Sequence, residues 1–164
     1  MKSFSYFYCS PNVDINPMLM KAEEVKTKTQ LQPILDLLKE SKLPYNDISL
    51  KDNLFVAYYN DSGHLVASGG LEFYSGHSLL RSIAIEEKER GKSLGRQVVH
   101  DLLNRAKGKS INNVFLLTET AHDFFIKLGF RDINRDQVPP EVLASSEFTS
   151  VCPVSAACMV FDFT

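Results

Sequence analysis

The stretch from Leu79 to Ala106 changes its apolar period partway along, and that change constrains the fold more than any other feature. Leu79-Leu80-Arg81-Ser82-Ile83-Ala84-Ile85 is short, branched and apolar, as a strand is. From Leu94 onward Leu94, Val98, Val99, Leu102, Leu103 and Ala106 recur at helical spacing, with Arg96, His100, Asp101 and Arg105 on the other side. Between the two lies Arg90-Gly91-Lys92-Ser93-Leu94-Gly95-Arg96. A strand that runs through a glycine-containing turn into a helix leaves the helix's first N–H groups unpaired, and the helix dipole adds about half a positive charge there. Such a turn suits a pyrophosphate, and Arg90, Lys92 and Arg96 strengthen the attraction. Taken alone, the loop reads equally well as an ordinary turn with solvated charges.

The rest of the chain surrounds this unit with strands. Ala22–Lys26 is a short strand candidate. Thr27 and Thr29 each have a glutamine three residues on, a capping-box signature, with Pro33 expected close to the first turn, where it is best tolerated. Leu31, Ile34, Leu35 and Leu38 then make one apolar helix face that ends at Leu43-Pro44. Leu54–Tyr59 and Leu65–Tyr74 read as a hairpin around Asn60-Asp61-Ser62-Gly63, and Ser75-Gly76-His77 turns the chain into the Leu79 strand. After the long helix come a strand at Asn113–Leu117 and a short helix at Ala121–Leu128, with Phe124, Phe125 and Leu128 inward and Gly129 as its C′ residue. Phe130–Ile133 follows as a short strand, then a helical turn in Pro139–Phe148, and a closing strand at Ala157–Phe163. This order predicts an α/β (α+β) fold with a mixed, mostly antiparallel central sheet and helices on both faces. Residues 1–17, with Pro11, Asn12, Asn16 and Pro17, read as an extension in which Phe4–Tyr8 forms an edge strand, and residues 18–164 as a single domain.

Composition removes several alternatives. A chain of 164 residues, 44% hydrophobic and 23% charged, falls within the range of ordinary globular domains. Its net charge of −2 argues against a nucleic-acid binder, no apolar run is long enough to span a bilayer, and the N-terminus lacks a signal-peptide core. A cytoplasmic location is therefore expected. Cys9, Cys152 and Cys158 lack metal-site spacing and are expected to be free thiols, and no metal is expected.

Residues 90–95 resemble the phosphate loop of the GNAT superfamily of N-acetyltransferases, in which Arg/Gln-x-x-Gly-x-Gly/Ala follows the central strand. Ser93 stands where the middle glycine is usual, so the loop either keeps a negative φ there or carries mild strain. Leu116-Leu117-Thr118-Glu119-Thr120-Ala121-His122-Asp123-Phe124-Phe125, running on to Gly129-Phe130, resembles the superfamily's next strand and helix. The resemblance implies acetyl-CoA as co-substrate. It places the cofactor on Arg90, Gly91, Lys92, Ser93, Leu94, Gly95 and Arg96, with its pantetheine arm along Ile83, Ala84 and Ile85. Phe124 reads as core or as a wall for that arm. The Leu-Leu-Arg-Ser-Ile-Ala strand and the Cys-Pro-x-Ser-Ala tail are most similar to proteins encoded beside arsenic-resistance genes, and more distantly to the acetyltransferase domain of N-acetylglutamate synthase. Both likenesses imply a small, amino-acid-like amine acceptor.

Acetyl transfer needs an unprotonated amine, whereas an alkyl ammonium titrates near pH 10. Glu72, expected to point from its strand toward an open face, is the first candidate for the base, with Glu119 second; the competing reading of Glu72 is a plain exposed glutamate. Relatives place a tyrosine where this chain has Phe125, which leaves water or Tyr74 to protonate the departing thiolate. A backbone N–H near Ile83 or Ala84 is expected to face the thioester carbonyl. Arg81 is expected either to hold an acceptor carboxylate or to pair with a nearby glutamate, and Ser155 and Cys152 to line the acceptor pocket. The alternatives to a small-molecule enzyme are a non-catalytic acyl-CoA-binding regulator and a protein N-acetyltransferase. A homodimer joined through sheet edges or the C-terminal strand is a further expectation.

Overall fold

A computed structural model describes residues 20–164; the strand expected at Phe4–Tyr8 and Cys9 lie outside the described residues. One seven-stranded sheet runs in the order β1-β2-β3-β4-β5-β7-β6. Its strands are β1 (Lys21–Glu24), β2 (Asn53–Tyr59), β3 (Leu65–Tyr74), β4 (His77–Ile85), β5 (Asn113–Thr118), β6 (Arg131–Asp132) and β7 (Ala157–Asp162). Every neighbouring pair is antiparallel except β4 and β5, which are parallel and joined by the long helix. The helices are α1 (Lys28–Glu40), α2 (Leu94–Gly108), α3 (His122–Lys127) and α4 (Pro140–Leu143), and one wide π-type turn covers Glu147–Val151. This is the mixed, mostly antiparallel sheet expected from the order of elements. No helix among the described residues is long and apolar enough to cross a membrane.

The two sheet faces have different covers. On one, α2 and α3 bury Val98, Leu102, Phe125 and Leu128 against Val56, Leu71, Leu80 and Val114. On the other, α1 packs Ile34 and Leu38 on Phe55 and Ala57, while Val138 and Val142 cover Leu79, Phe115 and Val160. Thr27 rather than Thr29 caps α1, with Gln30 completing the box in both directions. Pro33 lies inside the helix rather than in its first turn; its side is exposed, so the carbonyl that loses its partner is met by water. Leu37 is buried where Leu35 was expected, and Leu35 is only partly covered.

Gly69 lets α2 come close to the sheet, and Gly70 leaves room for the Phe55 ring of the neighbouring strand. A Cβ on Gly69 would stand 2.4 Å from Leu102 Cδ1, and one on Gly70 would stand 2.5 Å from the Phe55 ring. Opposite Gly69 the register slips. Ser68 pairs with Ala84 but Gly70 with Arg81, so Ser82 and Ile83 together face one residue, and Ser82 takes a left-handed φ of 58°. This is a β-bulge in the middle of β4, a device that re-aims the residues after it. The Ser68 hydroxyl donates to the Ser82 carbonyl at 3.0 Å and fixes the bulge.

Candidate active site

The loop between β4 and α2 has the shape its glycines suggest. Gly91 has φ 79° and Ser93 has φ 66°, so Ser93 is left-handed despite its Cβ and carries a cost of roughly 1–2 kcal/mol. Closely spaced left-handed residues curve a chain so that successive N–H groups turn inward, forming a concavity that receives anions. Among the described residues the N–H groups of Gly91, Lys92, Ser93, Leu94, Gly95 and Arg96 donate to nothing in the chain. Arg90 ties the loop back to the sheet by donating from Nε to the Ile85 carbonyl at 3.1 Å. Lys92 pairs with Glu89 at the surface, and Arg96 stays exposed. The Phe124 ring lies beside Gly95, 3.3 Å from where a Cβ would be, and packs edge-on against the buried Phe125. Phe124 therefore walls the space between the start of α2 and the end of β4.

That space is a gap in the sheet. β4 and β5 pair only through His77–Leu79 and Asn113–Phe115, after which the strands part: β5 continues along β7, and among the described residues no strand pairs with the edge of β4 from Leu80 to Ile85 on that side. Glu86 N donates to the Val66 carbonyl, so the hydrogen-bonded pairing of β3 and β4 falls on Glu86 and, two residues back, on Ala84. The main-chain groups of Ile83 and Ile85 therefore face away from β3 and into the gap. The Ile83 N–H is a main-chain donor directed there, beside the unpaired amides of the loop.

On the sheet face opposite α2, next to the bulge, sits a buried ion cluster. The Arg81 side chain is 1% exposed. Its NH1 donates to Asp47 Oδ2 at 2.7 Å and to Glu72 Oε1 at 2.5 Å. Its NH2 donates to Asp47 Oδ1 at 2.8 Å and contacts Glu147 Oε1 at 3.0 Å, and its Nε donates to Ser82 Oγ at 3.3 Å. Four of the guanidinium's five N–H groups donate in these hydrogen bonds, and Glu147 stands against NH2 as a close ion contact. Of the two readings of Arg81, pairing with carboxylates is the one found.

Glu72 corrects a second expectation. It faces this cluster instead of an open face, 8% exposed, and its Oε2 accepts from the Tyr74 hydroxyl at 2.7 Å. Burial and then the Glu72 carboxylate push the Tyr74 hydroxyl well above the usual phenol range, so Tyr74 keeps its proton and is a weak acid. Burial raises Asp47, but hydrogen bonds from Arg81 and Ser146 and the Arg81 charge outweigh it and hold the carboxyl low. Glu147 goes the other way: burial raises it, and the Arg81 charge offsets this only in part. Glu147 Oε2 accepts from the Cys152 thiol at 2.9 Å. That thiol is pushed up to about 12 by burial, by the hydrogen bond to Glu147, and by the charges of Glu147 and Glu119.

The chain thus brings Glu72, Tyr74, Arg81 and Cys152 together and leaves Glu119 exposed at the end of β5, near Cys152. Ser155 is exposed on the turn that Arg135 holds through the Pro153 and Ala156 carbonyls, and it makes no hydrogen bond to the cluster. Asp47 and Glu147 were not anticipated. They lie in irregular segments with no period, and only the contact with Arg81 marks them out. Among the described residues no group of His, Cys, Asp and Glu is arranged to hold a metal ion.

Comparison with known proteins agrees with this geometry. A family model for the acetyltransferase (GNAT) domain matches residues 51–132, half of the chain. An uncharacterized N-acetyltransferase of Chlorobaculum tepidum is 28% identical over 107 residues, which cover 65% of this chain and 65% of that protein, just under two thirds of its length. N-acetylglutamate synthase from Neisseria gonorrhoeae, solved with coenzyme A and N-acetyl-glutamate, superposes with a TM-score of 0.72 at 15% identity, covering 88% of this chain and 35% of that one. The Mycobacterium tuberculosis protein Rv2747, solved with CoA, gives 0.70 at 20% identity over 87% of this chain and 99% of that one. A GNAT-family acetyltransferase from Staphylococcus aureus gives 0.65 at 15% identity over 88% and 99%. At these identities the structures speak for the fold, which is the same one. The family match over the strand, loop and helix described above is specific: the chain belongs to the GNAT acetyltransferase domain family.

Proposed function

We propose that residues 18–164 work as one domain that transfers an acetyl group from acetyl-CoA to the amine of a small acceptor. The observation that carries this reading is the row of unpartnered amides at residues 91–96 opening onto the gap between β4 and β5. Amides of this kind fit a pyrophosphate, and Arg96 adds positive charge. The open edge of β4 at Ile83 and the Ile85 N–H can pair with the amide groups of a pantetheine arm as with another strand, while Phe124 excludes water from its far side. Acetyl-CoA supplies the activated acetyl group and a thiolate leaving group. The Ile83 N–H would stabilise negative charge developing on the acyl oxygen.

Proton uptake from the acceptor amine is assigned to the carboxylates around Arg81. Glu147 is favoured over Glu72 because burial raises its proton affinity and its partners hold it less closely: Arg81 NH2 at 3.0 Å and the weakly donating Cys152 thiol, against Arg81 NH1 at 2.5 Å and the Tyr74 hydroxyl at 2.7 Å on Glu72. Tyr74 holds its proton on Glu72, so water reprotonates the thiolate. The relatives solved with CoA and the N-acetyl-glutamate complex are reasons to include amino acids among the acceptors tried.

Calorimetry with CoA, followed by thiol release from acetyl-CoA over a panel of amines, tests the reading. Binding together with amine-dependent thiol release supports it. Binding with no release for any amine points to a regulator that senses acyl-CoA, and no binding removes the basis of the reading altogether. Glu147→Gln should lower kcat/KM and shift the acid limb of its pH profile, whereas Glu72→Gln should act mainly on stability.

A further inference from the structure

The peptide unit that joins Ser82 to Ile83 is held from both ends. Ser82, at φ 58°, takes the left-handed place at the start of a bulge that glycine fills at least cost. A residue with a Cβ stays in such a conformation only where its surroundings over-determine it. Here the fully buried Ser68 hydroxyl donates to the Ser82 carbonyl at 3.0 Å, and Arg81 Nε donates to the Ser82 hydroxyl at 3.3 Å. At the other end of the peptide the Ile83 side chain lies over Gly69, where a Cβ would stand 2.9 Å from Ile83 Cδ1.

A trans peptide is planar, and its C=O and N–H point in opposite directions. The Ser82 carbonyl and the Ile83 N–H belong to one such unit, since the described chain has no cis peptide bond. The register slip leaves Ser82 and Ile83 without paired residues on β3, so the strand ladder does not orient this peptide. The Ser68 hydroxyl does: it draws the carbonyl toward β3, and the N–H is thereby aimed away from β3 and into the gap. Resting on the transferase reading above, we infer that Ser68 is a positioning residue for acetyl transfer. Its hydroxyl touches neither substrate and sets the direction from which the Ile83 N–H meets the acyl oxygen.

The test compares Ser68→Ala with Ser78→Ala. The Ser78 hydroxyl is also fully buried and also donates to a main-chain carbonyl, that of Glu72 at 2.9 Å, but it lies away from the bulge. Ser68→Ala should lower kcat for amine-dependent thiol release by about tenfold, a part of what loss of a whole oxyanion donor costs. Affinity for CoA, which has no acyl oxygen, should stay unchanged. Ser78→Ala removes the same chemistry from the same sheet and should leave kcat as it is. Should Ser68→Ala fail to fold, Ser68→Cys keeps a weaker donor there and should show a smaller fall in kcat, again with CoA affinity unchanged. An unaltered kcat in the Ser68 variant, or an equal fall in both alanine variants, overturns the inference and leaves the transferase reading standing. If no amine releases thiol, that reading fails on its own, and the infrared band of the thioester carbonyl in bound acetyl-CoA decides this one. A higher frequency in Ser68→Ala than in the parent and Ser78→Ala supports it, because a carbonyl that loses a hydrogen bond stiffens; one frequency in all three overturns it. Failure of acetyl-CoA to bind the parent protein overturns both.

Discussion

Replacing Arg81 by methionine isolates what the ion cluster does for the fold. The substitution keeps much of the side chain's bulk but leaves Asp47, Glu72 and Glu147 facing one another at 18%, 11% and 10% side-chain exposure with no cation among them. Breaking a buried ion pair by removing one partner costs about 3–5 kcal/mol. In a domain of this size that lowers Tm by roughly 6–20 °C. The sign of the pH dependence follows from the carboxylates. Glu147 already sits above its ordinary value through burial, with the Arg81 charge opposing the rise; without Arg81, mutual repulsion lifts the group of carboxylates further. Carboxyls raised in the folded state bind protons before the unfolded chain does, so the variant gains stability as pH falls from 8 toward 5. In the parent protein Asp47 behaves oppositely: its lowered carboxyl contributes stability that is present above the unfolded value and lost only as pH falls below about 4. Urea unfolding of both proteins at pH 8 and pH 5 should therefore show a gap that narrows in acid. Adding Glu72→Gln and Glu147→Gln to the variant should recover most of the loss. A cost below about 1 kcal/mol at pH 8, or one that does not change with pH, would refute the description of this cluster as held together by Arg81.

The remaining predictions concern single positions. Ser93→Gly removes the left-handed penalty and, after the added chain entropy of glycine, should leave stability unchanged or raise it by up to about 1 kcal/mol with CoA binding retained; Ser93→Val should lower both, as melting and calorimetry would show. Gly69→Ala drives a methyl into Leu102 and Ile83 and should cost about 1–3 kcal/mol in urea unfolding. Tyr58→Phe removes the 2.8 Å hydrogen bond to Asp101 that ties β2 to α2, for a loss of about 1–3 kcal/mol by the same assay. Cys152, with its thiol pushed up to about 12, should label slowly with a disulfide reagent at pH 8 in the folded protein, and Glu147→Gln should speed the reaction.

Much of this architecture was legible in the amino-acid order because its causes are local. The Thr27–Gln30 box, the apolar stripe of α2, the Asn60–Gly63 hairpin and the left-handed Gly129 that ends α3 each depend on residues within about one turn of one another. The same holds for the loop between β4 and α2, since unpaired amides belong to any helix start and the glycine and basic residues stand beside it in the chain. Arg81 and Glu72 could be singled out as charged residues on strands, but not the direction in which Glu72 points or the partners that occupy Arg81. Those partners arrive from Asp47, 34 residues earlier, and from Glu147 in a turn after α4. Whether a polar residue in an irregular segment ends up in water or against a buried guanidinium depends on how separate elements pack, and no period records it. Tertiary structure likewise decided the bulge at Ser82 and the parting of β4 from β5, because strand register and separation arise from the layers pressed against both faces of the sheet. The sequence by itself determined the kind of fold and the glycine-containing turn at the head of α2; the packing of distant segments decided which carboxylates surround Arg81.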